Sequence, residues 1–146
     1  ASSKISDQLI PIGKAKVLLE GSDVTLVSYG IGIKHSLIAI GLAQEIDISV
    51  ELIDLRSIRP IDYETVFESI KKTNRCITVE ECFPICSIGN HLSASIMESI
   101  FDYLDSPVIN CTGKDVPMPY AKNLEKAALL NPEEILNAIK KVTYRD

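Results

Sequence analysis

The amino-acid sequence predicts an α/β domain of three layers, α/β/α, built on a mixed, mostly parallel five-stranded sheet. Three observations carry this expectation. A strand, a helix and a strand follow one another early in the chain, which implies a parallel pair joined by a right-handed crossover. The run Val24-Thr25-Leu26-Val27-Ser28-Tyr29 is apolar enough to sit centrally in a sheet, and several helix ends carry capping residues. At 146 residues and 46% hydrophobic content the chain fits one domain, able to bury roughly two-thirds of its unfolded surface.

In order, Val17-Leu18-Leu19 reads as a first strand, expected at an antiparallel edge, and Gly21-Ser22-Asp23 turns into the second. A helix is expected over about 34–46, with Leu37, Ile38, Ile40, Leu42, Ala43 and Ile46 forming a wide apolar face for the sheet. Residues 48–53 form the next strand. After Pro60, Asp62 caps a helix, Ile61 and Val66 are placed as a hydrophobic staple, Glu64 lies in the first turn and Lys71-Lys72 in the last. Residues 76–79 form the fourth strand, and Leu92, Ile96, Met97, Ile100 and Phe101 give the following helix its buried side. Residues 108–111 close the sheet. Asn131-Pro132-Glu133-Glu134 starts a last helix whose apolar side is Ile135, Leu136, Ile139 and Val142. The chain shows no internal repeat, low-complexity segment or second domain.

The net charge of -5, with acids and bases interspersed, argues against nucleic acid or an anionic membrane as a partner. No apolar run approaches the roughly 20 residues that span a bilayer, and residues 1–7 carry no hydrophobic signal core. Cys76, Cys82, Cys86 and Cys111 lie in or beside apolar strands without CxxC pairs, which suits buried thiols in a reducing compartment. Cys82-x3-Cys86 lacks the second ligand pair of a structural metal site.

Gly30-Ile31-Gly32 stands between a strand and a helix, with Asp54 ending the next strand, as in a dinucleotide fold. The third glycine of GxGxxG would fall at His35, so a tight turn into the helix is the better reading of the pair. Glu80 and Glu81 end a strand, where open α/β sheets place ligands, and His35 and His91 start helices near the same edge. An acid/base pair is conceivable there, although such acids more often serve interfaces. Arg56 and Arg59 follow a strand end and could grip an anion or a carboxylate of a neighbouring domain. In 115–121, Asp-Val-Pro-Met-Pro-Tyr-Ala, two prolines box Met118 and pre-set the backbone. The interface candidates are therefore Arg56, Arg59, Glu81, Met118 and Tyr120. No GxSxG, Walker loop or HExxH occurs, and the chain offers no self-contained active site.

IPIGKAK at 10–16, DLRSIRPID at 54–62, KKTNRCITVEE at 71–81 and GKDVPMPYA at 113–121 together resemble the C-terminal domain of transketolase-type thiamine diphosphate enzymes. The match is closest to the beta subunits of the 2-oxoacid dehydrogenases, with a pyruvate-decarboxylating enzyme ahead of a branched-chain one and of a free-standing nucleotide- or protein-binding domain. The resemblance implies a linker or arm at 1–12, the domain at 13–146, and a longer parent chain. It implies that thiamine diphosphate and magnesium are bound by the preceding domain and an alpha subunit, and that no catalytic or cofactor-binding residue lies in this stretch, which has no GDG diphosphate motif. It implies an alpha2-beta2 assembly, docking to the peripheral subunit-binding domain of dihydrolipoamide acetyltransferase through Asp105 of Leu104-Asp105-Ser106-Pro107, and a mitochondrial matrix location in a eukaryote or a cytoplasmic one otherwise. Two stretches depart from the family pattern: residues 81–86, where relatives carry glycine and tryptophan after the acid, and the ending 143–146, whose terminal carboxylate would otherwise share in docking.

Overall fold

The structure, a computed structural model, describes residues 9–145, so most of the arm expected at 1–12 and the terminal Asp146 lie outside the described residues. The strands are β1 (Lys16–Leu19), β2 (Val24–Ser28), β3 (Val50–Asp54), β4 (Cys76–Val79) and β5 (Ile109–Cys111). The helices are α1 (Ile31–Gln44), α2 (Tyr63–Thr73), α3 (Ile88–Ile100), α4 (Lys122–Ala128) and α5 (Pro132–Val142). The sheet runs β1-β3-β2-β4-β5, with β1 antiparallel to β3 and every other pair parallel. The antiparallel edge and the five-stranded mixed sheet are as the sequence predicts.

Two helical layers close the faces. Ala39, Ile40 and Ala43 of α1 pack with Ile135, Ile139 and Val142 of α5 over Leu26, Leu52 and Ile77. On the other side Val66 and Ile70 of α2 and Leu92, Ile96 and Ile100 of α3 cover Val27, Ile53 and Cys76. Where β2 meets α2 a polar contact replaces an apolar one: Thr25 Oγ1 lies 2.6 Å from Ser69 Oγ and 2.7 Å from Thr73 Oγ1, so each buried hydroxyl has a partner.

Two expected faces are corrected. α1 meets the sheet through Gly32, Ser36, Ala39, Ile40 and Ala43, while Leu37, Ile38, Leu42 and Ile46 are exposed. The helix is apolar almost all round, and its small residues form the side that can come closest to the strands. Met97 and Phe101 are likewise exposed, because Ile96 and Ile100 already fill the contact of α3 with the sheet. α1 also starts earlier than read, at Ile31, directly after Gly30 at φ 57°.

α2 follows its sequence signals. Asp62 Oδ1 accepts from the Thr65 amide at 3.3 Å, and Oδ2 accepts from the Thr65 hydroxyl at 2.9 Å and from the Ala15 amide at 3.0 Å. Asp62 thus ties the chain entering β1 to the start of α2. Burial alone would raise its carboxyl, but these donors and the Lys14 ammonium hold it below the ordinary 3.8. Asp62→Ala should lower stability by about 2 kcal/mol. Because the folded form holds the carboxyl lower than the unfolded chain does, the Asp62 contribution is complete above about pH 4 and fades as pH falls. Urea titrations of both proteins should show their difference shrinking on acidification; a constant gap would contradict this origin.

Candidate assembly interface

The parallel strands deliver their carboxyl ends to one rim, where three loops meet. In the first, after β3, buried Leu55 anchors the turn, Arg56 adopts φ 57°, and its amide donates to Asp54 Oδ1 at 3.0 Å. Gly13 packs here: its amide donates to Ser57 Oγ at 2.9 Å, and a Cβ on it would lie 2.7 Å from Pro60 Cγ. The IPIGKAK and DLRSIRPID motifs therefore touch, across a bend that includes a cis Arg59–Pro60 bond. Arg56 and Arg59 are exposed, and among the described residues neither has a carboxylate within 4.0 Å.

The second loop follows β4 and is built on Glu80, which is 1% exposed. Its carboxylate accepts from the Tyr29 hydroxyl at 2.9 Å and from the Ile88 and Gly89 amides at 3.2 and 2.7 Å, satisfying free donors at the start of α3. A Cβ on Gly89 would stand 2.3 Å from Asn110 Oδ1 and 2.5 Å from Glu80 Oε1, so this close approach requires glycine. Ser87 caps the same helix, accepting from the Asn90 amide at 3.1 Å. Burial and the neighbouring Glu80 carboxylate raise the Tyr29 phenol well above its ordinary value. Burial, reinforced by Glu80, pushes the Cys82 thiol up to about 12.

Glu81, by contrast, is exposed, as are Phe83 and Ile85. The imagined acid/base constellation is not assembled. Glu80 is a helix-capping group, and His91 shares a 2.6 Å hydrogen bond with Tyr63 Oη instead of either acid. His35 lies within α1, and no hydrogen bond joins it to Glu80 or Glu81 among the described residues. Both glycines at 30 and 32 are explained by the turn: Gly30 takes a positive φ, and a Cβ on Gly32 would meet Ser28 Oγ at 2.4 Å. All four cysteines are free; Cys76 and Cys111 are buried as expected, whereas Cys86 is exposed because the loop after β4 leaves the sheet.

The third loop carries the boxed methionine. Its Gly113 amide donates to Cys82 O at 3.1 Å and its Lys114 amide to Ala128 O at 2.8 Å, stitching it to the second loop and to the end of α4. Val116, Met118 and Tyr120 then stand exposed, Tyr120 completely at 105%. A crevice of about 160 Å³ between Cys82, Phe83, Met118 and Leu129 lies at their foot. The rim thus presents a stiff apolar surface that α4, which the sequence reading did not separate, supports from below.

Asp105 sits at the opposite edge of the sheet. Its amide donates to Asn74 O at 2.8 Å, its carboxylate pairs with Arg75 at 3.2 Å, and the Tyr144 hydroxyl donates to its carbonyl at 2.9 Å. The Leu-Asp-x-Pro turn and the described part of the chain end are therefore in contact. Exposed Met97 and Phe101 border the same turn, with Leu104 and Pro107, around a groove of about 260 Å³. Among the described residues no group of three His, Cys, Asp or Glu side chains could hold a metal ion, and no helix is long and apolar enough to cross a membrane.

Residues 13–135 match the family model of the transketolase C-terminal domain. The chain is 50% identical over 142 residues to the pyruvate dehydrogenase E1 component subunit beta of Rhizobium meliloti, covering 97% of this chain and 31% of that protein. It is 49% identical over 140 residues to the mitochondrial subunit of the same name from Dictyostelium discoideum, covering 96% of this chain and 39% of that one. Among solved structures, a split-gene transketolase described as an inactive beta4 tetramer superposes with a TM-score of 0.81 at 28% identity, over 94% of this chain and 44% of its own. The chain spans about a third to two-fifths of the curated relatives it matches.

Proposed function

From the premise that the chain belongs to the transketolase C-terminal domain family, we propose that it is the assembly end of the beta subunit of a thiamine diphosphate-dependent pyruvate dehydrogenase. The observation that carries this reading is the 50% identity to such a subunit across 97% of the chain. The geometry agrees with an assembly role: Asp54, Ser57 and Glu80 are consumed in holding the rim loops, while Val116, Met118 and Tyr120 are left exposed for a neighbour to cover.

On this reading the complete subunit, with its alpha partner, decarboxylates pyruvate oxidatively and passes the acetyl group to lipoyl groups. Thiamine diphosphate, with magnesium as its companion ion, would supply the carbanion chemistry when bound. Two observations support placing both groups elsewhere: the sequence has no GDG motif, and among the described residues no group of three His, Cys, Asp or Glu side chains could hold a metal ion. Both are therefore assigned to the rest of the enzyme. The partners are the alpha subunit, a second beta subunit and, at the Asp105 end, the peripheral subunit-binding domain of dihydrolipoamide acetyltransferase. The compartment is the mitochondrial matrix in a eukaryote and the cytoplasm in a bacterium.

The test is reconstitution of the complete subunit with its alpha partner, coenzyme and magnesium. Pyruvate should be consumed; turnover of branched-chain 2-oxoacids with pyruvate untouched would overturn the substrate assignment. Met118→Ser with Tyr120→Ser should weaken alpha2-beta2 assembly, in which beta packs against beta, roughly tenfold or more, read by analytical ultracentrifugation, and a tetramer as stable as the parent's would remove the 115–121 loop from the interface.

A further inference from the structure

Helix α1 carries an apolar side that its own fold leaves uncovered. Ile31, Leu37, Ile38, Leu42 and Ile46 are each between 36% and 49% exposed, while Gly32, Ser36, Ala39, Ile40 and Ala43 meet the sheet on the opposite side. Ile31, Lys34, Ile38, Gly41, Leu42 and Glu45 follow one another at helical spacings of three and four residues, so they form a single stripe. Gly41 stands within it. A Cβ there would meet nothing within 4 Å, so nothing in this domain calls for glycine at a position where it weakens the helix. The missing side chain leaves a notch in the stripe that a neighbouring helix can enter. Lys34 and Glu45, at the two ends of the stripe, are exposed, and among the described residues neither forms an ion pair.

The order of these residues says what covers the stripe. Laid antiparallel against a second copy of itself, α1 brings Lys34 opposite Glu45 of the partner subunit and Ile38 opposite Gly41 of the partner subunit, and a two-fold axis between residues 39 and 40 repeats both pairs. Charge and notch are thus complementary to the helix that bears them. A parallel pairing would set lysine on lysine and notch on notch, and would align the helix dipoles unfavourably. An apolar patch of this kind covers about 300–600 Å², against roughly 800 Å² per partner in a standard interface. It is therefore one part of a larger contact between two chains. We propose that α1 packs antiparallel on α1 of a second copy of this chain, with each Ile38 seated over the opposing glycine and each Lys34 paired with the opposing glutamate. This rests on the subunit reading above for the remainder of the contact between two beta subunits, and it assigns a surface that the reading does not name.

The experiment uses the complete beta subunit, with and without its alpha partner, in a background where exposed Cys86 is replaced by serine. One batch carries Lys34→Cys and another Glu45→Cys. Mixed before assembly and mildly oxidised, they should give a disulfide-linked beta pair, identified by mass spectrometry as the 34–45 peptide. Neither batch should do so alone, because like positions of two antiparallel copies lie about 16 Å apart along the helices. No link in the mixture, or a 34–34 or 45–45 link in a single batch, would overturn the proposal. Gly41→Gln should weaken the beta–beta contact about tenfold or more by sedimentation, whereas the unassembled variant should melt no lower than its parent, since the new side chain enters open space. A contact as tight as the parent's would overturn the seating of Ile38. Lys34→Glu should also loosen the contact, and adding Glu45→Lys should recover it; no recovery would overturn the ion pair. Failure of the parent to join an alpha subunit or consume pyruvate would remove the subunit reading alone, because the 34–45 link is scored on the beta chain without either.

Discussion

Replacing Lys72 by methionine should destabilise the domain by about 3 kcal/mol, far more than the loss of a surface lysine. The reason is the partner it leaves behind. Glu51 lies in β3, between β1 and β2, with a side chain 2% exposed, and Lys72 at the end of α2 reaches over to it while also contacting Glu20 at 3.0 Å. Without that ammonium, Glu51 would keep only neutral donors such as the Gly21 amide at 3.3 Å for a charge held in the sheet. A second change, Glu51→Gln in the Lys72→Met background, should restore much of the loss, because the buried charge disappears with its need for a partner. Urea unfolding of the four proteins measures this. A Lys72→Met loss below about 0.5 kcal/mol would place the pair among ordinary exposed ion pairs.

The pH dependence has a definite sign. Burial pushes the Glu51 carboxyl upward, but Lys72 and the neighbouring donors outweigh it and hold the group below its ordinary value. Lys72 is held above its ordinary value, chiefly by its bond to Glu51. The stabilisation is thus lost as pH falls through the lowered Glu51 value, and separately as pH rises through the raised Lys72 value. Between these limits the deficit of Lys72→Met should stay flat.

Glu80→Ala should cost roughly 3 kcal/mol, since it strips acceptors from the Tyr29 hydroxyl and two amides at once. The loss should also loosen the rim, because α3 begins on that carboxylate. Glu80→Gln supplies a second readout. Burial and the adjacent charge push Cys82 up to about 12, so in the parent its alkylation at pH 8 should lag far behind that of exposed Cys86. Removing the charge should narrow the gap between the two thiols, followed by peptide mass spectrometry; an unchanged ratio would mean that burial alone silences Cys82.

The sequence was most readable where structure is local. The start and end of α2 could be placed from Asp62, Glu64, Lys71 and Lys72 because capping and dipole effects act within a few residues. The hydrophobic runs identified the strands for the same reason. α1 was misjudged because Leu37, Ile38, Leu42 and Ile46 are as apolar as the residues that face the sheet, and nothing along the chain says which arc meets the strands. Glu80 looked like half of an acid pair; its role as a cap depends on Tyr29 and Gly89 arriving from elsewhere. The Tyr63–His91 contact left no trace at all, since neither residue is part of a local pattern. The surface of 115–121 was legible because two prolines restrict the chain whatever surrounds it.

The direction of the strands gives the domain two opposite ends. The loops bearing Tyr120 and Arg59 leave the carboxyl ends of β5 and β3, whereas Asp105 precedes β5 and leans on Asn74, just ahead of β4. Strands of three to five residues separate these ends, a thickness of about 10–17 Å. The domain is therefore a rigid spacer, and a body seated on one end does not stand in the way of a body approaching the other. On the proposed function, saturating one end with its partner should leave the affinity at the other unaltered.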